Sequence, residues 1–253
     1  MSFDRRRFLK IGGLTIAGLA LKPAYSLLSA PVSRERTTSA KKRWAMLVEL
    51  NACLKKEQCS DCVAACHRLH NVPAFQNARH EIKWIWTSPF AEVFPEQAHR
   101  FTRDEMKQRP VLVLCNHCDN PPCVPVCPTK ATFKRADGIV MMDYHRCIGC
   151  RYCMAACPYG ARSFNWEDPK PAVPEINGAY PTRTKGVVEK CSFCDERLAE
   201  GLMPACVEAC KEKGLHFGDL NDAGSEIRKV LEKRFVLQRK PLLGTGPNVY
   251  YLV

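Results

Sequence analysis

The sequence predicts an α+β fold of four short repeats, arranged as two units with one embedded in the other. Three observations predict it. The first is the placing of sixteen cysteines in 253 residues. They stand in four groups of four with none left over: Cys53, Cys59, Cys62, Cys66; Cys115, Cys118, Cys123, Cys127; Cys147, Cys150, Cys153, Cys157; and Cys191, Cys194, Cys206, Cys210. The second is a short apolar run ahead of each group: Trp44 to Leu50, Val111 to Leu114, Ile139 to Met142, and Val187-Val188. Apolar runs of this length read as strands, so the beat is strand, cysteine loop, short helix. The third is separation. The middle groups crowd between 115 and 157, while the outer two lie at 53–66 and 191–210. Four copies of one unit imply internal duplication, with a compact inner pair set between the halves of an outer pair.

The elements follow in order. Residues 1–30 read as an address. Arg5-Arg6-Arg7-Phe8-Leu9-Lys10 fits the twin-arginine export pattern R-R-x-F-L-K, and Ile11 to Leu21 supplies the apolar stretch behind it. That stretch is well short of the roughly 20 residues needed to span a bilayer; the competing reading is a basic amphipathic anchor. Twin-arginine export carries folded proteins, and the expected location is the extracytoplasmic, periplasmic face of the cytoplasmic membrane. Neither Lys22-Pro23-Ala24 nor Leu28-Ser29-Ala30 is a good A-x-A cleavage site, so retention of the leader as a membrane tether is an expectation. Residues 31–43 form a polar linker. Residues 44–110 hold the first half of the outer unit plus an insertion, 111–165 the inner unit, 166–220 an insertion plus the second outer half, and 221–253 a helix and tail. The helix is expected over Asn221 to Lys233, capped by Asn221 or Asp222. The tail PLLGTGPNVYYLV ends apolar and suits packing across the domain or against a partner.

The chemistry lies in the cysteine spacing. Cys147, Cys150, Cys153 and Cys157, followed by Pro158, form the C-x2-C-x2-C-x3-C-P run of two-cluster ferredoxins, in which the fourth cysteine serves the other cluster. Four such groups predict four 4Fe–4S clusters and a wire for single electrons. Exchange of the last ligand assigns Cys53, Cys59, Cys62 and Cys210 to cluster 1. Cys115, Cys118, Cys123 and Cys157 go to cluster 2. Cys147, Cys150, Cys153 and Cys127 go to cluster 3, and Cys191, Cys194, Cys206 and Cys66 to cluster 4. Cys53 to Cys59 and Cys194 to Cys206 are wider than the usual interval and read as loop insertions. Zinc also favours C-x2-C, and an exported protein can hold disulfides. Continuous four-cysteine runs with a trailing proline suit neither as well as a cubane.

The formal charge of +12 suggests nucleic acid at first sight. Setting aside Arg5, Arg6, Arg7, Lys10, Lys22 and Asp4 leaves 33 basic and 25 acidic residues, or +8. Clusters bound by deprotonated thiols bring roughly −2 each, so the loaded protein approaches neutrality and no nucleic-acid partner is expected. None of the seven histidines follows a C-x-x-C, so covalent haem attachment is not indicated. His67, His70 and His117 lie among the cysteines, as packing residues or as hydrogen-bond partners of cluster sulfurs. Trp84 and Trp86, at strand spacing, are expected on one face, as a docking surface or as the core of the insertion. Tyr144 and Tyr159 read as packing. There is no G-x-S-x-G, phosphate loop or dinucleotide glycine motif. The chain therefore reads as an electron-transfer subunit with no catalytic site of its own.

The four-group pattern resembles the four-cluster iron–sulfur subunits of membrane oxidoreductases, among them polysulfide, tetrathionate and dimethyl sulfoxide reductases. The stretches ACHRLHNVP, HEIKWIWT, VLCNHCDNPPCVPVCPTKATFKR, GIVMMDYHRCIGCRYCMAACPYGARSFNW and PTRTKGVVEKCSFCDERLAEGLMPACVEAC look like the periplasmic, DsrO-type subunits of Dsr complexes, which are linked to dissimilatory sulfite reductase. That resemblance covers about residues 44–253. It implies an integral membrane quinone-interacting subunit of the polysulfide-reductase type and a multihaem cytochrome c as partners. It also implies a haem b membrane protein and a cytoplasmic iron–sulfur protein, in sulfite reduction or sulfur oxidation. The competing readings are the iron–sulfur subunit of a periplasmic molybdopterin reductase and, in another class, a zinc-ribbon module.

Overall fold

The computed structural model describes residues 42–56 and 59–253. The twin-arginine stretch and nearly all of the linker lie outside the described residues. Strand β1 (Trp44–Glu49) runs into a single turn, α1 (Leu50–Cys53), and then α2 (Asp61–Leu69). After β2 (Ile85–Pro89) come two short helices, α3 (Phe90–Val93) and α4 (Asp104–Gln108), and then β3 (Pro110–Leu114). The centre of the chain holds β4 (Thr132–Lys134), β5 (Val140–Met142), α5 (Tyr152–Ala155) and β6 (Ser163–Phe164). The rest comprises β7 (Val188–Glu189), α6 (Asp195–Ala199), α7 (Ala205–Glu208), β8 (Leu215–Asp219), α8 (Glu226–Lys233), β9 (Val236–Leu237) and β10 (Val249–Leu252). The class is mixed α+β. Among the described residues no helix is long and apolar enough to cross a membrane.

All four apolar runs pair as strands. The largest sheet has the order β8-β1-β10-β9, with β1 and β10 parallel and the other pairs antiparallel. Among the described residues three two-stranded ribbons, β2-β3, β4-β5 and β6-β7, complete the set. β1 is buried almost throughout because both faces are covered. Met46 and Val48 enter the main core with Trp84, Leu114 and Tyr251, while Ala45 and Leu47 meet Ile227 of α8 and Leu252. The tail packs across the domain. Its Gly246 and Thr245 carbonyls accept from the Asp119 and Asn120 amides, 2.8 and 2.9 Å, and the chain then enters the sheet as β10.

Three expectations are corrected. The C-terminal helix begins at Glu226, after Ser225, rather than at Asn221. Asp222 Oδ1 accepts from the Gly224 amide at 2.8 Å, so this side chain closes a turn instead of capping the helix. The second cysteine group has no short helix. Pro121, Pro122 and Pro125 crowd it, each lacking an N–H, and the segment forms turns. The two indoles do not share a strand face, since β2 starts at Ile85. Trp84 is wholly buried and donates from Nε1 to Glu189 Oε2 at 2.8 Å, whereas Trp86 is half-buried and donates to Ser88 Oγ at 3.2 Å. Trp84 is thus core, and no docking surface includes it.

A buried polar network ties the second insertion to the first cysteine group. Arg183 and Glu189 pair at 2.7 Å with both side chains essentially inaccessible. Glu189 also accepts from Asn165 Nδ2 at 2.6 Å, and Arg183 donates to the carbonyls of His70 and Asn71. These carbonyls follow the C-terminal turn of α2, so the network fixes the end of the helix that bears Cys62 and Cys66.

Candidate metal centres

Cysteines four residues apart are the key to the geometry. On a helical turn, positions i and i+4 lie side by side, with Cβ atoms about 5–6 Å apart. Cys62 and Cys66 share α2, while Cys206 and Cys153 start one-turn helices that Cys210 and Cys157 follow. In each pair the two sulfurs serve different clusters of thiols.

Cys53, Cys59, Cys62 and Cys210 line one cavity of about 710 Å³, walled by Val63, Ile85, Trp86, Leu112 and Leu215. Cys115, Cys118, Cys123 and Cys157 line a second, smaller cavity with Tyr159 and Arg162. Cys127, Cys147, Cys150 and Cys153 line a third. Cys66, Cys191, Cys194 and Cys206 are all buried, and like charge on the other three adds to the upward push on the Cys66 thiol. The structure thus brings together the same four sets of cysteines that ligand exchange proposes. Contacts between sets give their order. Cys62 of the first set adds to the repulsion felt by Cys66 and Cys206 of the fourth. Cys115 of the second does the same to Cys191 of the fourth. Cys123 of the second and Cys153 of the third sit in one apolar cluster. The sequence of neighbours is therefore first, fourth, second, third.

The loops that aim these thiols share a backbone device. In the second, third and fourth groups the residue before the second cysteine takes a left-handed conformation: His117 (φ 41°), Gly149 (φ 71°) and Phe193 (φ 59°). This reverses the chain within C-x-x-C so that both cysteines face inward. Only Gly149 meets the requirement without a steric cost. His117 and Phe193 stack on each other, ring centroids 3.8 Å apart, at the seam between the second and fourth sets. That contact offsets some of the strain.

Electrostatics define what the sets can hold. Burial and then the neighbouring thiols Cys210 and Cys59 push the Cys53 thiol up to about 11. Burial, followed by Cys53, pushes Cys62 up to about 12. Burial likewise raises Cys118 and Cys191 to about 12. At Cys127 burial opposes ionisation, but the Thr132, Thr129 and Ala131 amides and the Thr129 hydroxyl outweigh it and bring the thiol below its ordinary value. Most of these groups stay protonated unless cations are placed among them. Four convergent soft sulfur donors, crowded and short of positive charge, fit an iron–sulfur cubane. All sixteen cysteines are free of disulfides.

The histidines divide. His67 Nε2 lies 3.2 Å from the Ile85 carbonyl, and His117 Nδ1 accepts from the Val140 amide at 3.1 Å, so both serve packing and backbone. His70 does approach a sulfur. Its Nδ1 lies 3.6 Å from Cys66 Sγ and 2.9 Å from the Cys66 carbonyl, and its Nε2 lies 2.9 Å from Glu196 Oε1. Sequence reasoning missed two buried cations that bond to the cysteines. Arg162 donates from Nη2 to Cys123 Sγ at 3.1 Å, and Lys190 donates to the Cys191 carbonyl at 2.7 Å. The only signal in the sequence is a basic residue just past the third run and another just before the fourth.

Comparison with known proteins agrees with this reading. Residues 110–220 match the 4Fe-4S dicluster domain family. The chain is 42% identical, over 98% of its length and 97% of the relative's, to the Hdr-like menaquinol oxidoreductase iron-sulfur subunit 1 of Archaeoglobus fulgidus. It is 38% identical to a tetrathionate reductase subunit of Salmonella typhimurium, over all of this chain and 89% of the other. It is 35% identical to the menaquinone reductase iron-sulfur cluster-binding subunit of Nitratidesulfovibrio vulgaris, over 83% of this chain and 88% of the other. These matches define an electron-transfer iron–sulfur subunit of a multi-subunit oxidoreductase complex. The chain belongs to the family of 4Fe-4S dicluster, ferredoxin-like subunits that serve menaquinol oxidoreductase, dimethyl sulfoxide reductase and tetrathionate reductase complexes. These relatives carry names other than the Dsr type expected from the sequence.

Proposed function

We propose that the chain relays single electrons through four 4Fe–4S clusters in the order cluster 1, cluster 4, cluster 2, cluster 3. The ligands are Cys53, Cys59, Cys62 and Cys210; Cys66, Cys191, Cys194 and Cys206; Cys115, Cys118, Cys123 and Cys157; and Cys127, Cys147, Cys150 and Cys153. The observation that carries the reading is the pairing of cysteines four apart, which joins cluster 1 to cluster 4 and cluster 2 to cluster 3, while the His117–Phe193 stack lies between the fourth and second sets. Exposure picks out the ends. None of the first set is fully buried, and in the third Cys127, Cys147 and Cys150 are partly exposed beside Ile148 and Tyr152, which are 67% and 64% accessible. The fourth set is wholly buried, as an interior relay requires. The clusters supply the one-electron chemistry. The chain's part is to hold sulfur ligands in place, exclude water from the interior sites and fix the charge around each.

We further assign the chain to the periplasmic side of a Dsr-type complex, exported folded by its twin-arginine leader. There it exchanges electrons between a quinone-interacting membrane subunit and a multihaem cytochrome c. The inner unit, 111–165, sits embedded between the outer halves. The Archaeoglobus and Nitratidesulfovibrio relatives, named for menaquinol and menaquinone, support a quinone-linked partner. A second reading, the iron–sulfur subunit of a molybdopterin reductase, draws on the tetrathionate reductase relative. Iron and acid-labile sulfide on anaerobically purified protein should each approach roughly sixteen per chain, four per cubane. Zinc near four per chain, with no visible absorbance, would overturn the relay. Copurification from the native membrane separates the two assignments: a multihaem cytochrome supports the Dsr-type complex, and a pterin-bearing chain supports the reductase.

A further inference from the structure

Arg162 is 5% exposed, at the end of the third group's trailing segment. Its Nη2 donates to Cys123 Sγ of the second set at 3.1 Å, and its Nη1 donates to Thr132 Oγ1 at 3.1 Å, with Met142 Sδ 3.9 Å away. Cys123, Met142 and the third set's Cys153 pack in one apolar cluster, so the guanidinium that reaches Cys123 and Met142 lies where the second and third sets meet. Among the described residues no carboxylate bonds to Arg162, unlike Arg183, whose buried charge Glu189 meets. A buried cation without a carboxylate is costly unless other negative charge meets it. Here that charge comes from cysteine sulfurs. A guanidinium keeps its proton in a protein interior, so the charge is fixed.

We propose that Arg162 is a positioning residue shared by clusters 2 and 3, whose fixed charge raises the reduction potentials of both together. The inference rests on the ligand assignment above. Adding an electron to a cubane makes it more negative. A buried cation held on a sulfur of cluster 2, against the apolar cluster that contains Cys153 of cluster 3, favours that reduced state at both. Because one side chain serves two sites, it also keeps their potentials in step, so that neither becomes a trap between the buried relay and the exposed end. Thr132 and Met142, facing each other across the β4-β5 ribbon, fix the fork.

The test is an EPR-monitored redox titration of the full chain, purified anaerobically, for wild type, Arg162→Gln and Arg162→Lys. Cys157→Ser and Cys150→Ser identify the signals of clusters 2 and 3. In Arg162→Gln two of four midpoint potentials should fall, those of clusters 2 and 3, with the other two unmoved. Arg162→Lys, which keeps the charge, should retain wild-type values. Unchanged potentials in a loaded Arg162→Gln protein, or an equal fall at all four clusters, would overturn the proposal. If Arg162→Gln does not load, Arg162→Lys decides: retained potentials uphold the charge, and a fall at clusters 2 and 3 overturns it. Wild-type protein lacking four clusters would instead refute the ligand assignment.

Discussion

Replacing Gly149 with alanine tests how tightly the third cysteine loop is specified. Gly149 sits at φ +71°, and a Cβ there would lie 2.5 Å from the Gly186 carbonyl oxygen and 3.1 Å from the Phe164 ring. The left-handed conformation alone costs an L residue about 1–2 kcal/mol. Forcing a methyl against backbone adds about 1–3 kcal/mol, for a total of about 2–5 kcal/mol. Gly160 is the internal control: its φ is +63° and a Cβ would meet nothing within 4 Å. Gly160→Ala should therefore cost only the conformational part, about 1–2 kcal/mol. For a chain of this size each kcal/mol corresponds to roughly 2–4 °C. The assay is anaerobic heating at a fixed scan rate, following bleaching of the cluster absorbance. Gly149→Ala should bleach well below Gly160→Ala, with the first loss in the EPR signal assigned to cluster 3. Equal bleaching temperatures for the two variants would refute the packing argument, because conformational strain would then account for both.

Other expectations are as specific. Cys157→Ser should abolish the cluster held by Cys115, Cys118 and Cys123 and spare its sequence neighbours. Spectroscopic loss at the cluster of Cys147, Cys150 and Cys153 would show that the ligands are not exchanged. Glu189→Gln leaves the buried Arg183 uncompensated and should destabilise the protein by about 3–5 kcal/mol, read as a lower bleaching temperature with the four potentials little changed. Removing iron with acid and chelator leaves buried thiols that burial and mutual repulsion keep protonated. Far-UV circular dichroism should then fall together with the visible absorbance rather than after it.

The metal centres are more legible in the sequence than the architecture around them. Spacing alone groups the cysteines, because a C-x2-C turn and a C-x3-C helical step fix the direction of each thiol locally. The strands are legible for the same reason: VLVL and IVMM have little choice once buried on both faces. What escapes is set by distant residues. Nothing near Trp84 says that its indole will meet Glu189, more than a hundred positions away, instead of lying beside Trp86. The start of the last helix is hard to place because Asp222 suits a turn as well as a cap. Arg162 reads as an ordinary surface cation until the fold lays the β4-β5 ribbon over it. Buried charge is a tertiary property, and local pattern carries no trace of it.

The four-residue steps that join neighbouring sites also bear on assembly. Cys62–Cys66 and Cys206–Cys210 couple the first and fourth sites, and Cys123–Cys127 and Cys153–Cys157 couple the second and third. Filling one member of a couple therefore sets the backbone of the other, whereas no cysteines four apart join the two couples, which meet at the His117–Phe193 seam and through the β2-β3 and β6-β7 ribbons. Reconstitution with limiting iron and sulfide should populate molecules with two or four clusters in preference to one or three. Loss of one cluster should leave its partner in the couple loaded but lower that partner's bleaching temperature more than those of the other two, so that damage spreads first within one half of the conductor.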